Sequence, residues 1–133
     1  MAYPAQYRYT KQHEWIDLKG DVATVGITDY AQHELGDVVF VELPKSGAKV
    51  SAGKSFGTVE SVKAVSEIFA PISGEVVETN GDLEKTPEKI NTDPHGAAWL
   101  IKVKLSDPKE VSALMDTAAY EAFIASAGKD AHA

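Results

Sequence analysis

Cysteine is absent from the 133 residues of the chain. Its absence excludes disulfide scaffolds, thiolate metal sites and cysteine nucleophiles, and it suits a reducing compartment. No apolar run approaches the roughly 20 residues that cross a bilayer, so we expect no membrane contact. Residues 1–9 lack the apolar core of a secretory signal and the amphipathic pattern of a transit peptide. We therefore expect a bacterial protein of the cytoplasm.

Basic residues are scarce, since 13 lysines and arginines stand against 20 acidic residues and give a formal net charge of -7. Nucleic-acid binding needs clustered Lys and Arg, so we expect a protein or small-molecule partner instead. The 44% of hydrophobic and 25% of charged residues are typical of a globular chain. We expect one domain over residues 1–133, with its core over about 7–105 and a C-terminal helical segment over about 108–127.

Motifs for metal binding and catalysis are also missing. His13 and His33 each precede a glutamate, but no second histidine follows at the spacing of a zinc site. The glycine-rich dinucleotide pattern and the nucleophile elbow are absent. The sequence therefore predicts no metal and gives little support to an enzyme.

Short β-like segments are abundant. The clearest alternates Ile101, Val103 and Leu105 with lysines, which is typical of a strand with one buried face. Turn residues separate the segments from one another. The pattern predicts eight strands, at residues 7–10, 14–17, 21–27, 37–43, 55–62, 65–69, 74–79 and 99–105.

Helical signals are fewer. Ala31 and Leu35 follow Ile27 at four-residue spacing, which predicts a two-turn helix that is capped by Thr28 and ended by Gly36. Weaker signals predict two more helices, one from Thr86-Pro87 and one over residues 116–128.

A weak internal repeat links the strands. Pro-x-Ser-Gly occurs at residues 44–47 and again at 71–74, each time between two predicted strands. Two such units packed face to face would bury both apolar faces in a small flattened β-sandwich, because one hairpin alone is marginal in water. The alternative is that Pro-x-Ser-Gly is merely common turn chemistry.

Lys63 lies between the two copies of the repeat. The segment 60–66 contains no Gly, Pro or Asn, yet it must reverse the chain if the copies pack together. This predicts that Lys63 is exposed at a tight hairpin tip, where an acylating enzyme can reach its amine. The alternative is an ordinary solvated lysine.

The residues around Lys63 resemble the lipoylation signature of the glycine cleavage system H-protein family. The signature residues here are Glu60, Ser61, Val62, Lys63 and Ala64. Further matches in the same order occur at residues 11–15 (Lys-Gln-His-Glu-Trp), 25–31 (Val-Gly-Ile-Thr-Asp-Tyr-Ala), 35–44, 73–76 and 91–94, and at Trp99. One departure is His95-Gly96-Ala97-Ala98, where the family usually has an aromatic residue and two glycines. Alanine restricts positive φ, which puts the conformation of this loop in doubt.

The resemblance implies a mostly β fold of the lipoyl/biotinyl carrier type. It implies a two-sheet sandwich, or barrel-sandwich hybrid, with short peripheral helices and a C-terminal helix. It also implies a lipoate in amide linkage to Lys63, with Glu60, Ser61, Val62 and Ala64 as recognition flanks. The protein would then be a carrier and not an enzyme, and we expect a monomer.

The resemblance further implies the partners. A pyridoxal-phosphate glycine decarboxylase (P protein) would load an aminomethyl group onto the arm, and a tetrahydrofolate-dependent aminomethyltransferase (T protein) would remove it. Dihydrolipoamide dehydrogenase (L protein) would reoxidise the dithiol, and a lipoate-attaching enzyme would modify Lys63. These partners supply the difficult chemistry, and tethering raises the effective concentration of the arm.

A loaded arm ends in a cationic amine that an acidic groove would shelter. Glu14 and Glu67 are the candidates, since either carboxylate could form a charge-assisted bond with the amine. The alternative for both is an ordinary surface carboxylate.

Three rival functions remain open. The first is a lipoyl or biotinyl domain that serves a different complex, with biotin disfavoured because Val62 and Ala64, not methionines, flank the lysine. A relay protein that hands lipoyl groups to other proteins would share the same fold. From a different class, the chain could be a non-catalytic β-sandwich interaction module whose Lys63 is never modified.

Overall fold

A computed structural model describes residues 3–130 of the chain. Its strands are β1 (Arg8–Tyr9), β2 (Glu14–Lys19), β3 (Val22–Ile27), β4 (Val38–Glu42), β5 (Lys49–Val50), β6 (Ser55–Ser61), β7 (Val65–Phe69), β8 (Gly74–Thr79) and β9 (Ile101–Leu105). Its helices are α1 (Asp29–Leu35), α2 (Asp82–Lys85), α3 (Lys89–Thr92), α4 (Thr117–Asp130) and a 3-10 helix at Pro108–Ala113. None of the helices in this part of the chain has the length and apolar character to span a bilayer.

The strands form two antiparallel sheets. The larger has six strands in the order β1-β2-β3-β9-β8-β5, and the smaller has three in the order β4-β6-β7. This confirms the predicted two-sheet, mostly β fold with short helices and a C-terminal helix. The sheets stay open and do not close into a barrel.

Two clusters of buried apolar residues hold the sheets together. The first combines the inner face of the small sheet with Ile27, the end of α1 and the short helices. The second lies on the six-stranded sheet and includes Ile101 and Val103, both fully buried as the alternation predicted. Phe56 packs against both clusters, so it couples the small sheet to the large one.

Short elements were the ones that the sequence did not reveal. β5 is two residues long and buries only Val50, and α2 buries only Leu83, so neither has enough residues to show a period. The helix predicted from Thr86-Pro87 begins instead at Lys89, because residues 86–88 form a turn that precedes it.

The Pro-x-Ser-Gly repeat marks the two places where the chain crosses from the small sheet to the large one. The first copy joins β4 to β5, the second joins β7 to β8, and β5 pairs with β8. The two glycines differ. Gly47 has a φ of 94°, which favours glycine for its conformation. Gly74 has no positive φ, but a Cβ built on it would overlap the carbonyl oxygen of Lys104. The repeat therefore has a structural basis, although its two glycines serve different purposes.

α1 is confirmed with both predicted caps. The Thr28 hydroxyl accepts a hydrogen bond from the Ala31 N–H at 3.2 Å, and the helix ends at Gly36 with a φ of 77°. The C-terminal helix is also confirmed and continues to Asp130, past the predicted end. Its Tyr120 is fully buried, beyond the predicted core over 7–105.

The loop that departs from the family pattern adopts ordinary backbone geometry. Among the described non-glycine residues only His13 has a positive φ, so Ala97 and Ala98 need no special conformation. The Ala97 N–H donates to Asp93 at 2.8 Å, and the Asn80 side chain donates to the Ala97 carbonyl at 2.9 Å. These bonds fix the loop without the usual glycines.

Gly74 is predicted to be irreplaceable by a larger residue. In a Gly74→Ala variant the added Cβ would overlap the Lys104 carbonyl of the paired strand, and overpacking of this kind costs about 3 kcal/mol. Urea denaturation measures the loss. The control is Gly81→Ala, whose Cβ meets no atom within 4 Å and whose φ of -65° suits alanine. Equal stability of the two variants would contradict the close strand approach.

Candidate modification site

Lys63 lies at the tip of the β6–β7 hairpin, where the sequence placed it. The last strand pair is Glu60 with Val65, and the Ser61 N–H donates to the Ala64 carbonyl at 2.8 Å. The Ser61 hydroxyl is buried under the tip and accepts hydrogen bonds from the N–H groups of Lys63 at 3.3 Å and Ala64 at 3.1 Å. A serine side chain thus closes the turn that has no Gly, Pro or Asn.

The tip rests on the segment that joins α1 to β4. The Val62 N–H donates to the Asp37 carbonyl at 3.0 Å. From the opposite side, Asn91 of α3 accepts from the Val38 N–H at 2.9 Å and donates to the Gly36 carbonyl at 2.9 Å. Asn91 therefore fixes the support of the tip. Sequence reasoning missed it, because its partners lie more than fifty residues away along the chain.

The Lys63 side chain is exposed and runs alongside the end of α1. A Cβ built at Gly36 would lie 3.4 Å from the Lys63 Cε and 4.0 Å from its Nζ. None of the four ion pairs among the described residues involves Lys63. The amine is therefore open to reagents and free of a competing carboxylate within the described chain.

A groove of about 280 Å³ opens beside the tip. Its floor is apolar, with Ile27, Ala31, Leu35 and Ile68 contributed by β3, α1 and β7. Its rim is polar and includes His13 on the α4 side. The remaining lining residues are Gln12, Glu34, Ala64, Val65, Ser66 and Glu67. The groove combines an apolar floor with two carboxylates, which would suit an acyl chain that ends in a cation.

The structure places Glu14 and Glu67 in different environments. Glu67 is exposed and lines the groove. Glu14 is only 1% exposed, and its carboxylate accepts hydrogen bonds from the Thr10 hydroxyl and from the Phe69 N–H at 3.3 Å. Burial raises the pKa of Glu14 to about 7, and those two hydrogen bonds oppose the rise. Glu14 thus connects β2 of the large sheet to β7 of the small one.

The four residues expected to act as recognition flanks also differ in exposure. Val62 is 70% exposed, and Glu60 and Ala64 are exposed too. Ser61 is 6% exposed and serves the turn. A modifying enzyme could therefore touch Glu60, Val62 and Ala64, whereas Ser61 would act through the shape of the tip.

His13, which the sequence analysis considered only as a metal ligand, is a groove residue. Its φ of 69° lies in the left-handed region, which is uncommon for residues other than glycine. The ring is held by Tyr120, whose hydroxyl lies 2.8 Å from His13 Nδ1 and 2.7 Å from the Thr28 hydroxyl. Burial lowers the pKa of His13. α4 therefore fixes one wall of the groove through Tyr120. Its contacts with His13 and Thr28 join residues more than ninety positions apart along the chain, so the sequence did not reveal them.

Comparisons with known proteins agree with one another. The model of the family described as Glycine cleavage H-protein matches residues 7–127. A glycine cleavage system H protein from Acidobacterium capsulatum is 60% identical over 124 residues, which cover 93% of this chain and 95% of that protein. One from Koribacter versatilis is 58% identical over 125 residues, covering 94% and 96%. The crystal structure of a glycine cleavage system H protein from Mycobacterium marinum is 45% identical with a TM-score of 0.82, covering 89% of this chain and 95% of that one.

The hairpin tip should loosen when the Ser61 hydroxyl is removed. A Ser61→Ala variant loses the acceptor for two tip amides, which should cost about 1 kcal/mol and speed exchange of the Lys63 and Ala64 amide hydrogens about fivefold. Amide exchange followed by NMR measures this. Ser55→Ala is the control, since its hydroxyl makes only a long contact of 3.4 Å. Unchanged exchange in Ser61→Ala would show that the turn closes without the side chain.

Ionisation of the buried Glu14 carboxyl should lower the free energy of unfolding as pH rises. Its pKa is about 7 in the folded chain against an ordinary value of 4.5, so the folded state holds the extra proton between these values. Ionisation of Glu14 on going from pH 4.5 to 7.5 should therefore remove up to about 3 kcal/mol of unfolding free energy, and Glu14→Gln should abolish this loss. Urea denaturation at several pH values measures the unfolding free energy of wild type and variant. His13, whose pKa is lowered, makes stability rise with pH in both proteins, so its contribution cancels in the difference between them. Exposed Glu67→Gln is the control, and an identical pH dependence in all three proteins would disprove the assignment.

Proposed function

Because the chain belongs to the glycine cleavage H-protein family, we propose that Lys63 carries lipoate in amide linkage and presents it to the enzymes of glycine cleavage. Membership confirms the resemblance seen in the sequence and makes the chain a carrier component, not a catalyst. The proposal that Lys63 carries lipoate rests on one observation. Lys63 is exposed at a hairpin tip that the Ser61 side chain closes, and a groove with an apolar floor lies beside it.

The residues around Lys63 fit such a group. The floor formed by Ala31, Leu35 and Ile68 offers apolar surface to an acyl chain, and the lysine stem runs beside Gly36. When bound, the lipoyl group would supply a disulfide that accepts a one-carbon amine and electrons. The chain itself holds the attachment nitrogen at a fixed point and keeps the arm at high local concentration for each partner.

Glu67 is the better of the two carboxylates proposed to shelter the cationic amine. It lines the groove and is solvated, so it can pair with an amine without a large desolvation cost. Glu14 would first have to give up its bonds to Thr10 and Phe69. Glu34 on α1 supplies a second carboxylate at the same rim.

The partners that we propose follow from this role. They are the pyridoxal-phosphate glycine decarboxylase, the tetrahydrofolate-dependent aminomethyltransferase, dihydrolipoamide dehydrogenase and a lipoate-attaching enzyme. The chain would carry the aminomethyl group from the first to the second and would be reoxidised by the third. We propose a monomer in the cytoplasm, where reducing conditions suit a cysteine-free carrier.

Lys63→Arg should abolish modification. Incubation of the wild-type protein with a lipoate-attaching enzyme, ATP and lipoate should add one lipoyl mass to the intact protein, and the variant should gain nothing, since the arginine side chain is not acylated. Lys54→Arg is the control, because Lys54 is another exposed lysine close to β6. A folded wild-type protein that gains no mass, or a Lys63→Arg variant that still gains it, would overturn the proposal and favour a non-catalytic interaction module.

A further inference from the structure

Exposed apolar side chains concentrate around Lys63. Six large apolar residues are exposed in the described chain, and four of them belong to β4 or to the hairpin. Val62 is 70% exposed and Val65 is 68% exposed, while Val39 and Phe40 are each 50% exposed. Scattered apolar residues on a surface need no explanation, but a group of four beside one lysine does. We refer to these four residues as the apolar patch.

The apolar patch occupies one face and one end of the small sheet. Phe40 pairs with Glu60, and Glu60 pairs with Val65, so the three side chains form a row across β4, β6 and β7 on the outer face. Val62 sits in the tip and bonds through its N–H to Asp37, just before β4. The patch therefore extends from the outer face of the small sheet to the residue next to Lys63.

Charge is distributed unevenly between the two sheets. The strands of the small sheet, all of them described, hold Glu42, Glu60 and Glu67 and no lysine or arginine. The strands of the large sheet carry both signs. Their basic residues are Arg8, Lys19, Lys49, Lys102 and Lys104, and their acidic residues are Glu14, Asp17, Glu75 and Glu78. A partner that matches the small sheet would present an apolar centre within a basic rim.

We propose that the apolar patch, with Glu42, Glu60 and Glu67 around it, is the docking surface for the enzyme that lipoylates Lys63. This rests on the proposed function, because it assumes that Lys63 is lipoylated. In that reaction the Lys63 nitrogen forms an amide bond to the acyl carbon of an ATP-activated lipoate. The bond from that carbon to its activating phosphate breaks, the nucleotide leaves with the electron pair, and a proton passes from nitrogen to solvent.

Distance decides which of the partners uses the patch. Only the acylating enzyme has to bring its active site to Nζ itself, so its surface must cover the residues that flank the tip. Enzymes that act on the dithiolane meet the arm at its far end, separated from the tip by the full length of the lysyl and lipoyl chains. Val62 and Val65 therefore lie within the surface that the acylating enzyme has to cover, whereas the reactions at the dithiolane do not require contact with them.

The test compares a patch variant with a matched control elsewhere. The patch variant is Val39→Thr/Phe40→Thr, which changes two exposed positions of β4 outside the groove and places threonine, a residue that suits strands, at both. The control is Val77→Thr in β8 of the large sheet, where Val77 is 44% exposed. Initial rates of lipoyl transfer from the attaching enzyme with ATP and lipoate are followed by intact mass across carrier concentrations. We expect kcat/KM to fall about tenfold in the patch variant through a higher KM, with kcat nearly unchanged, and to stay at the wild-type value in Val77→Thr.

A second readout separates the partners. The patch variant, fully lipoylated by prolonged incubation with excess enzyme, should be reduced at the wild-type rate by NADH and dihydrolipoamide dehydrogenase, run in the reverse of its oxidising direction. Urea denaturation should show both variants folded. An equal loss in that reaction would overturn the assignment to the acylating enzyme. A wild-type chain that sediments as a dimer, with the patch variant a monomer, would assign the patch to a second copy. Wild-type kcat/KM in a folded patch variant would reject docking, whereas absence of any mass gain on the wild-type protein would reject lipoylation itself.

Discussion

The hydroxyl of Ser61 is the contact on which the site depends. It accepts hydrogen bonds from the N–H groups of Lys63 and Ala64 and donates one to the Ala64 carbonyl. The chain therefore reverses in three residues without a glycine. A glycine turn would have brought flexibility at Lys63, because glycine has the largest backbone freedom. With a serine inside the turn, the backbone at Lys63 is fixed and the motion is left to the side chain. A fixed pivot with a mobile arm is what a carrier visited by several enzymes requires.

Lys63 stands between two surfaces of different character. On one side lies the groove, whose floor is apolar and whose rim carries Glu34 and Glu67. On the other lies the apolar patch, which belongs to the outer face of the small sheet. β7 serves both, because Val65 contributes to the patch and to the edge of the groove. Under the proposed function, this one strand would present the lysine for modification and later border the groove proposed for the arm.

The sequence was informative where a feature depends on neighbours along the chain. The alternation of β9, the caps of α1 at Thr28 and Gly36 and the position of Lys63 all rest on local patterns. The features it missed depend on residues far apart. Asn91 reaches Gly36 and Val38, Tyr120 reaches His13 and Thr28, and Glu14 reaches Phe69. No periodicity records such pairs, so the burial of Glu14 could not be predicted and its carboxylate looked like any other.

The apolar patch raises the question of whether the small sheet can associate with a second copy of itself. β4 and β7 are the edges of that sheet, and exposed edges are templates for pairing with another chain. Two features oppose this. β4 has a register shift between Val38 and Phe40, which interrupts the regular ladder, and each edge carries a carboxylate, Glu42 on β4 and Glu67 on β7. Two copies brought edge to edge would oppose like charges on chains that already carry a formal charge of -7 each. The same carboxylates would attract a basic partner, so the arrangement that discourages self-pairing favours docking of an enzyme of opposite charge.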